Sequence, residues 1–302
     1  MANDELTVAV LGPGGIGGLL AALLSRAGHR VICLAGEETA ETLRTDGIRV
    51  RSGLFGDFTA HVEADTVLRE PVDACLVAVK HTALDAALDR VPPAALGDAL
   101  LVPFLNGVEH PATLRARYRP GLVAPAVIRV ESTRVAAGVI EHGSPFAEID
   151  LTGEGSGVDR KRLDALAGAL DAAGPTTRVL DDEASTLWAK MSFLAPFALL
   201  TTRYAVPLGD VRTQHRDELT ALVAETAAVS RASGGPADPA QALARYDAFP
   251  PQTKSSMQRD AEAGRPLELD AIGGALLRAA ERHGVSVPVA ARLVRELRDA
   301  GH

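Results

Sequence analysis

Residues 8–30, VAVLGPGGIGGLLAALLSRAGHR, decide the fold. Leu6 to Leu11 reads as a short buried strand, Ile16 to Ala27 as an apolar helix ending at Gly28, and Arg30 to Ala35 as a second strand. Between the first strand and the helix, Gly12, Gly14 and Gly17 have the spacing G-x-G-x-x-G. Gly12 permits the tight turn, Gly14 lets backbone approach a pyrophosphate, and Gly17 lets the helix pack on the strand. The amides that open the helix, at Gly15, Ile16 and Gly17, lie at its positive end and favour an anion. A strand, a glycine turn, a helix and a second strand in this order point to a dinucleotide site.

Working outward, the apolar runs Asp73 to Val79, Ala99 to Leu105 and Leu122 to Ile128 are separated by helix-length segments. That alternation predicts an α/β fold with a doubly wound parallel sheet. Ile48 to Arg51 and Phe58 to Val62, around the turn residues Ser52 to Asp57, predict a hairpin. Val130 to Leu151, broken by Gly138, Gly143 and Pro145, predicts antiparallel strands that close the first domain, and Leu163 to Ala173 a helix. After Asp181 strand signals vanish. Helices are expected over 183–204, 214–233, 239–249, 269–283 and 288–300, punctuated by Pro236, Pro239, Pro250, Pro251 and Pro266. The expected division is a dinucleotide-binding domain over 1–181 and an all-helical substrate and catalytic domain over 182–302.

The 302 residues carry 31 Lys plus Arg against 39 Asp plus Glu, a net charge of -8, which disfavours nucleic-acid binding. With 47% hydrophobic and 23% charged residues the composition is that of a globular protein. The longest apolar run, Phe193 to Leu200, falls far short of the roughly 20 residues that cross a bilayer. Met1 to Glu5 lacks the positive flank and apolar core of a secretory signal, so a cytoplasmic location without membrane contact is expected. Cys33 and Cys75 sit in strand-like runs and are expected to be buried and reduced. The eight histidines are scattered without metal-ligand spacing, and no metal is expected.

Several polar residues are candidates for chemistry. Glu37, with Glu38 beside it, stands where an acid would meet a ribose 2'-hydroxyl, and both equally suit the first turn of a helix. Lys80 terminates the apolar run Ala74 to Val79, at the carboxyl edge where open α/β sheets bind ligands. Asn106-Gly107 follows the next run and is also a common turn dipeptide. Lys190 lies within the apolar stretch Leu187 to Met191. An ammonium partly desolvated there would have a lowered pKa and hand a proton to a developing alkoxide; a snorkelling lysine with a solvated head fits the same sequence. Ser255, Ser256 and Gln258 fit a helix start, Ser255 and Gln258 having capping-box spacing. Glu268, taken alone, fits a solvated acid.

In combination these pieces resemble the ketopantoate reductases, also called 2-dehydropantoate 2-reductases. The matching blocks are VAVLGPGGIG, LVAVK ending at Lys80, FLNG around Asn106, LWAKM around Lys190, SSMQRDAEAGRPLELD over 255–270 and HGVSVPVAARL over 283–293. They occur in the family's order and span nearly the whole chain. The resemblance implies a Rossmann domain followed by a helical domain, with a nicotinamide delivering hydride to the carbonyl carbon of a 2-oxo acid. It implies Lys190 as general acid, Glu268 holding the substrate hydroxyl and helping to orient Lys190, and Ser256 holding the carboxylate. Lys80 and Asn106 would line the nicotinamide end, with Asn106 also within reach of substrate.

Two departures from the family pattern stand out. NADPH-using members usually carry an arginine after the second strand, where this chain has Gly36, Glu37 and Glu38. The family prior is NADPH; Gly36 and Glu37 lean towards NADH. The family also carries asparagines four and eight residues after the lysine and another before a Gly-acid pair, where this chain has Leu194, Ala198 and Leu208. Those three are expected to line the substrate pocket, and Pro196 to kink its helix. The expected activity is reduction of a 2-oxo acid with a less polar tail than ketopantoate. Authentic 2-dehydropantoate reduction, an opine-type dehydrogenase and a non-catalytic nucleotide sensor are the alternatives. A small-molecule substrate is the expected partner, and a homodimer is compatible with the sequence.

Overall fold

In the computed structural model, residues 5–153 and 157–301 are described. β1 (Thr7–Leu11), α1 (Gly15–Arg26) and β2 (Arg30–Leu34) follow one another as the opening stretch predicts. α2 (Glu37–Asp46), β3 (Ile48–Ser52), β4 (Phe58–Ala60), β5 (Glu63–Asp65), β6 (Ala74–Val77), α3 (Leu84–Leu88), α4 (Pro93–Leu96) and β7 (Leu100–Pro103) come next. β5, β2, β1, β6 and β7 form a five-stranded sheet in that order, every neighbouring pair parallel. Strand order reverses at β1, which is the topological switch point of a doubly wound sheet.

The central strand explains its own composition. Val8 and Val10 face one apolar core with Leu19, Leu20 and Leu23 of α1; Ala9 and Leu11 face a second with Leu84, Leu88 and Leu114. A strand covered on both faces has no use for alternation, so it reads as an unbroken apolar run. Cys33 on β2 and Cys75 on β6 are buried and unpaired with each other, and burial pushes both thiols up to about 12.

The remaining strands build two smaller sheets. The predicted hairpin is present as antiparallel β3 and β4, and β3 also pairs with β10 (Val139–His142), which pairs in turn with β9 (Ser132–Ala136). The third sheet has the order β12 (Thr176–Leu180), β11 (Glu148–Thr152), β8 (Ala126–Arg129). Here one expectation is corrected: the run Leu122 to Ile128 does not extend the parallel sheet. Ala124 N–H still donates to Leu101 of β7, at 3.0 Å, but Pro125 has no N–H to continue the ladder, and β8 pairs antiparallel with β11. β5 and β12 were not expected. β5 has three residues, two of them acidic, and β12 is an edge strand whose residues are all exposed or half-buried.

α5 (His110–Arg117) and α6 (Arg160–Ala173) complete the sheet-bearing part. The rest is helical: α7 (Glu183–Tyr204), α8 (Leu208–Gln214), α9 (Arg216–Ala232), α10 (Pro239–Ala248), α11 (Ser256–Glu262), a wide π-type turn at Asp270–Gly274, α12 (Ala275–His283) and α13 (Pro288–Asp299). The contacts divide the chain into two units. One runs to Leu105 and resumes over His110–Glu183; the other comprises Asn106–Glu109 and the chain from Ala184 onward. The helical unit has its own core, with Leu199, Leu200, Leu208 and Leu222 at 0% exposure. Each such side chain stabilises the fold by about 1.5–3 kcal/mol.

Pro196 lies inside α7, and the helix runs through it without a break. Proline removes the amide that would bond to the carbonyl of Ser192. One residue further on, the buried Tyr246 hydroxyl donates to the Phe193 carbonyl, while its ring stacks on Phe193 at 4.4 Å. Among the described residues no helix is long and apolar enough to cross a membrane, and no group of three or more His, Cys, Asp or Glu is placed to hold a metal.

Candidate active site

The turn between β1 and α1 is shaped by the absence of side chains. Gly12 has φ +84°, a conformation that side-chain-bearing residues rarely adopt, and a Cβ there would also meet Val79. A Cβ on Gly17 would strike the Gly12 carbonyl oxygen and lie 3.1 Å from the Ala78 methyl. One on Gly15 would strike the Ser132 carbonyl of β9, whose hydroxyl donates to the Gly15 carbonyl at 2.8 Å. Gly14 differs: a Cβ there would have no neighbour nearer than the Gly12 oxygen at 4.0 Å. That face of the turn is open.

Gly14 is the N-cap of α1, no side chain caps the helix, and its first turn carries no acid. The amides of Gly15, Ile16 and Gly17 therefore begin a helix with neither a side-chain cap nor a first-turn acid at its positive end, while the Ile16 side chain packs on the core. An open approach at Gly14 beside such a helix start fits a dinucleotide pyrophosphate.

Glu37 is the first residue of α2, after N-cap Gly36. Its side chain is 74% exposed and its carboxylate pairs with Arg44 at 2.7 Å; Arg44 also meets Glu41 at 3.1 Å. Glu37 and Glu38 do occupy a helix first turn, one of the two roles the sequence left open. Lys80 requires a small correction: β6 ends at Val77, so Lys80 lies three residues beyond it, exposed, at the start of the short 3-10 turn His81–Ala83. The strand stops where Val79 turns in against Gly12.

In the helical unit, Lys190 is half-buried on α7, next in sequence to the core residue Met191 and two residues after the core residue Trp188. Glu268 is 8% exposed and lies just before the π-type turn. The Asn106 carboxamide donates to Glu268 Oε2 at 2.9 Å, so two candidates separated by 162 positions meet. Ser255 is the N-cap of α11: its hydroxyl accepts from the Gln258 amide at 3.0 Å and hydrogen-bonds with the Thr201 hydroxyl at 2.8 Å. Gln258 does not return the bond, its carboxamide donating to Glu262 at 3.1 Å. Ser256, the next residue, is exposed.

The three positions where the family's asparagines are replaced are not alike. Leu194 is half-buried and packs on the helical core. Ala198 is 1% exposed and Leu208 0%, both within that core. Of the three positions expected to line the substrate pocket, these two thus pack in the apolar interior and Leu194 alone keeps partial exposure. Sequence reasoning also missed the pairing of Glu109 with Arg278, which donates to it at 2.7 Å. No local pattern announces that pair.

Residues 8–151 match the family model described as ketopantoate reductase PanE/ApbA, and residues 183–300 match that of its C-terminal part. An uncharacterised oxidoreductase of Bacillus subtilis, YkpB, is 29% identical over 93% of this chain and 94% of its own. A solved 2-dehydropantoate 2-reductase from Methylococcus capsulatus is 27% identical, with TM-score 0.86 over 98% of this chain and 97% of its own. D-mandelate dehydrogenase, solved with NADH and anilino(oxo)acetate, shares the fold at TM-score 0.87 and 18% identity, over 97% of this chain and 98% of its own. The chain belongs to the ketopantoate reductase family of NAD(P)H-dependent oxidoreductases.

Proposed function

We propose that this protein reduces a 2-oxo acid to the 2-hydroxy acid, with Lys190 as general acid and Glu268 holding the substrate, and that its preferred substrate has a less polar tail than ketopantoate. The observation that carries the reading is the Asn106–Glu268 hydrogen bond. A buried acidic side chain is costly unless partnered, and Glu268, a residue at 8% exposure, has one acceptor position satisfied and its carboxylate oriented by the Asn106 amide. Such a group accepts a substrate hydroxyl in a defined place.

Gly12, Gly14, Gly15, Ile16 and Gly17 would hold the pyrophosphate, Glu37 the adenosine ribose, and Lys80 and Asn106 the nicotinamide end. When bound, the reduced nicotinamide supplies hydride to the carbonyl carbon. As negative charge develops on the substrate oxygen, the Lys190 ammonium stabilises it and gives up a proton, a contribution of about 10²- to 10⁴-fold. The Ser256 hydroxyl is exposed and suited to the substrate carboxylate. Leu194, one turn after Lys190, presents alkyl surface where an amide would greet a polar tail.

Authentic 2-dehydropantoate reduction remains a second reading, and the burial of Ala198 and Leu208 favours it, because only one replaced position retains access. Measuring kcat/KM for ketopantoate beside 2-oxo acids with aliphatic and aromatic tails separates the two. An advantage of about tenfold or more for ketopantoate makes this a conventional member of the family. Amine-dependent products would indicate an opine-type dehydrogenase, and cofactor binding without any turnover a sensor.

A further inference from the structure

We propose that Arg278 is a positioning residue that, by clamping Glu109 to Asp270, holds the Asn106 carboxamide on Glu268. The inference rests on the reading of Glu268 as a substrate-holding group. After β7 the chain passes into Asn106–Glu109, and those four residues belong by their contacts to the helical unit. Asn106 donates to Glu268 at 2.9 Å, and Val108 packs on the helical core. Gly107, at φ +92°, lies so close to the Ala271 carbonyl that a Cβ would collide with it. Glu109 accepts from Arg278 Nε at 3.1 Å and from its terminal nitrogen at 2.7 Å.

The same guanidinium reaches the other side of the Asn106–Glu268 bond. It donates to Asp270 Oδ1 at 3.0 Å and to the Asp270 carbonyl at 3.2 Å. Asp270 opens the π-type turn two residues after Glu268, and the Ile272 amide donates back to the Glu268 carbonyl at 3.1 Å. Arg278 thus joins the two stretches whose other ends are Asn106 and Glu268, closing a ring of contacts. A Cβ on Gly274 would strike the Asp270 carboxylate and lie 3.0 Å from Arg278, so the clamp needs glycine there. Arg282 and Arg298 stand nearby, 3.6 Å from Glu109 and 3.4 Å from Asp270.

The clamp calls for arginine, because a planar fork bonds two carboxylates and a carbonyl at once, which one ammonium does less well. The Arg278 side chain is 42% exposed, so the pair adds little to stability; its effect is geometric. Displacing a group in an active site by about 1 Å costs on the order of 10²-fold in rate.

The test uses the full-length enzyme, the 2-oxo acid it reduces fastest, and the variants Arg278→Ala, Arg278→Lys, Asn106→Ala and the double Asn106→Ala/Arg278→Ala. Arg278→Ala should lower kcat by about 10- to 100-fold. Arg278→Lys should lie between it and the parent. The double variant should be no worse than Asn106→Ala alone, because both changes act through one bond. Full kcat in Arg278→Ala, or losses that multiply in the double, overturns the proposal. Glu268→Gln separates the two readings: if it turns over normally, Glu268 does not hold the substrate. If it is impaired while Arg278 and Asn106 act independently, the positioning role alone fails. Independently of turnover, hydrogen exchange at the amides of 106–109 should quicken in Arg278→Ala and not in the exposed-charge control Arg295→Ala; equal exchange rates sink the clamp.

Discussion

The glycine turn of residues 12–17 and the Asn106, Lys190 and Glu268 group make opposite demands on the chain. The turn functions by having no side chains: Gly12, Gly15 and Gly17 each abut backbone, and Gly14 alone leaves open space. The candidates of the helical unit are instead polar side chains set in apolar sequence or packing, with Glu268 at 8% exposure and Lys190 next to the core residue Met191. One region is a shape and the other a set of charges. Substitutions should therefore damage binding in the first and chemistry in the second.

The largest expected effect lies in the helical group. Lys190→Ala should lower turnover by about 10²- to 10⁴-fold while NAD(P)H binding, followed by nucleotide fluorescence, stays nearly intact. Normal turnover would falsify the general-acid assignment. Weakened cofactor binding together with lost turnover would instead erase the division of labour between the two regions.

Next come two glycines of one motif that should fail differently. Gly17→Ala drives a methyl into the Gly12 carbonyl, and overpacking of this kind costs about 1–3 kcal/mol, so both Tm and cofactor affinity should fall. Gly14→Ala meets only the Gly12 carbonyl oxygen, at 4.0 Å, and should cost the fold only up to about 1 kcal/mol, as a poorer N-cap. Its methyl nevertheless stands on the face where the pyrophosphate is expected, so Kd for NAD(P)H should rise by on the order of tenfold. If Gly14→Ala binds cofactor as the parent does, the open face is not the approach.

The substrate wall gives a third contrast. Leu194→Asn should raise kcat/KM for ketopantoate relative to an aliphatic 2-oxo acid by roughly tenfold, since an unpaired buried hydroxyl costs about 1–3 kcal/mol. Ala198→Asn places an amide at a position 1% exposed and should lower Tm instead, without the gain in specificity. A specificity gain at residue 198 comparable with that at 194 would show that the helix opens during turnover.

How much of this was legible follows from the same contrast. A turn made of glycines is local, and its spacing, flanking strands and helix all lie within residues 7–34, so the sequence announces it. α7 is legible for the same reason, its bounds Glu183–Tyr204 being those expected from helical spacing. The run Leu122 to Ile128 misled because apolar residues serve any buried strand, and Pro125 re-routed it. Glu268 and Asn106 were weak candidates taken singly and gained roles only through family resemblance, and nothing local foretold their bond across 162 positions. Ala198 was expected beside Lys190 because residues four apart share a helix face, and Leu208 from the family's asparagine position, yet both are buried in the helical core. The Glu109–Arg278 pair has no short-range signature at all, since each is an ordinary charged residue until the fold opposes them.

The smallest effect concerns which nicotinamide is used, and it belongs to the glycine-turn region. Glu37, Glu38 and Glu41 share α2 with Arg44, and Arg44 is engaged by both Glu37 and Glu41. A 2'-phosphate brought to the start of α2 would meet carboxylates first, and Gly36 offers no guanidinium in compensation. A ribose 2'-hydroxyl would instead donate to Glu37. NADH should therefore be used at least as well as NADPH in matched kcat/KM measurements. Because Glu37 is well exposed, the charge term is modest and screened: Glu37→Gln should move the preference towards NADPH by only about two- to fivefold, and less at high salt. Losing Glu37 also leaves Arg44 with one carboxylate fewer, which moves the preference in the same direction. A strong NADPH preference in the parent overturns this account and makes Arg44 the phosphate reader, in which case Arg44→Ala, not Glu37→Gln, removes the preference.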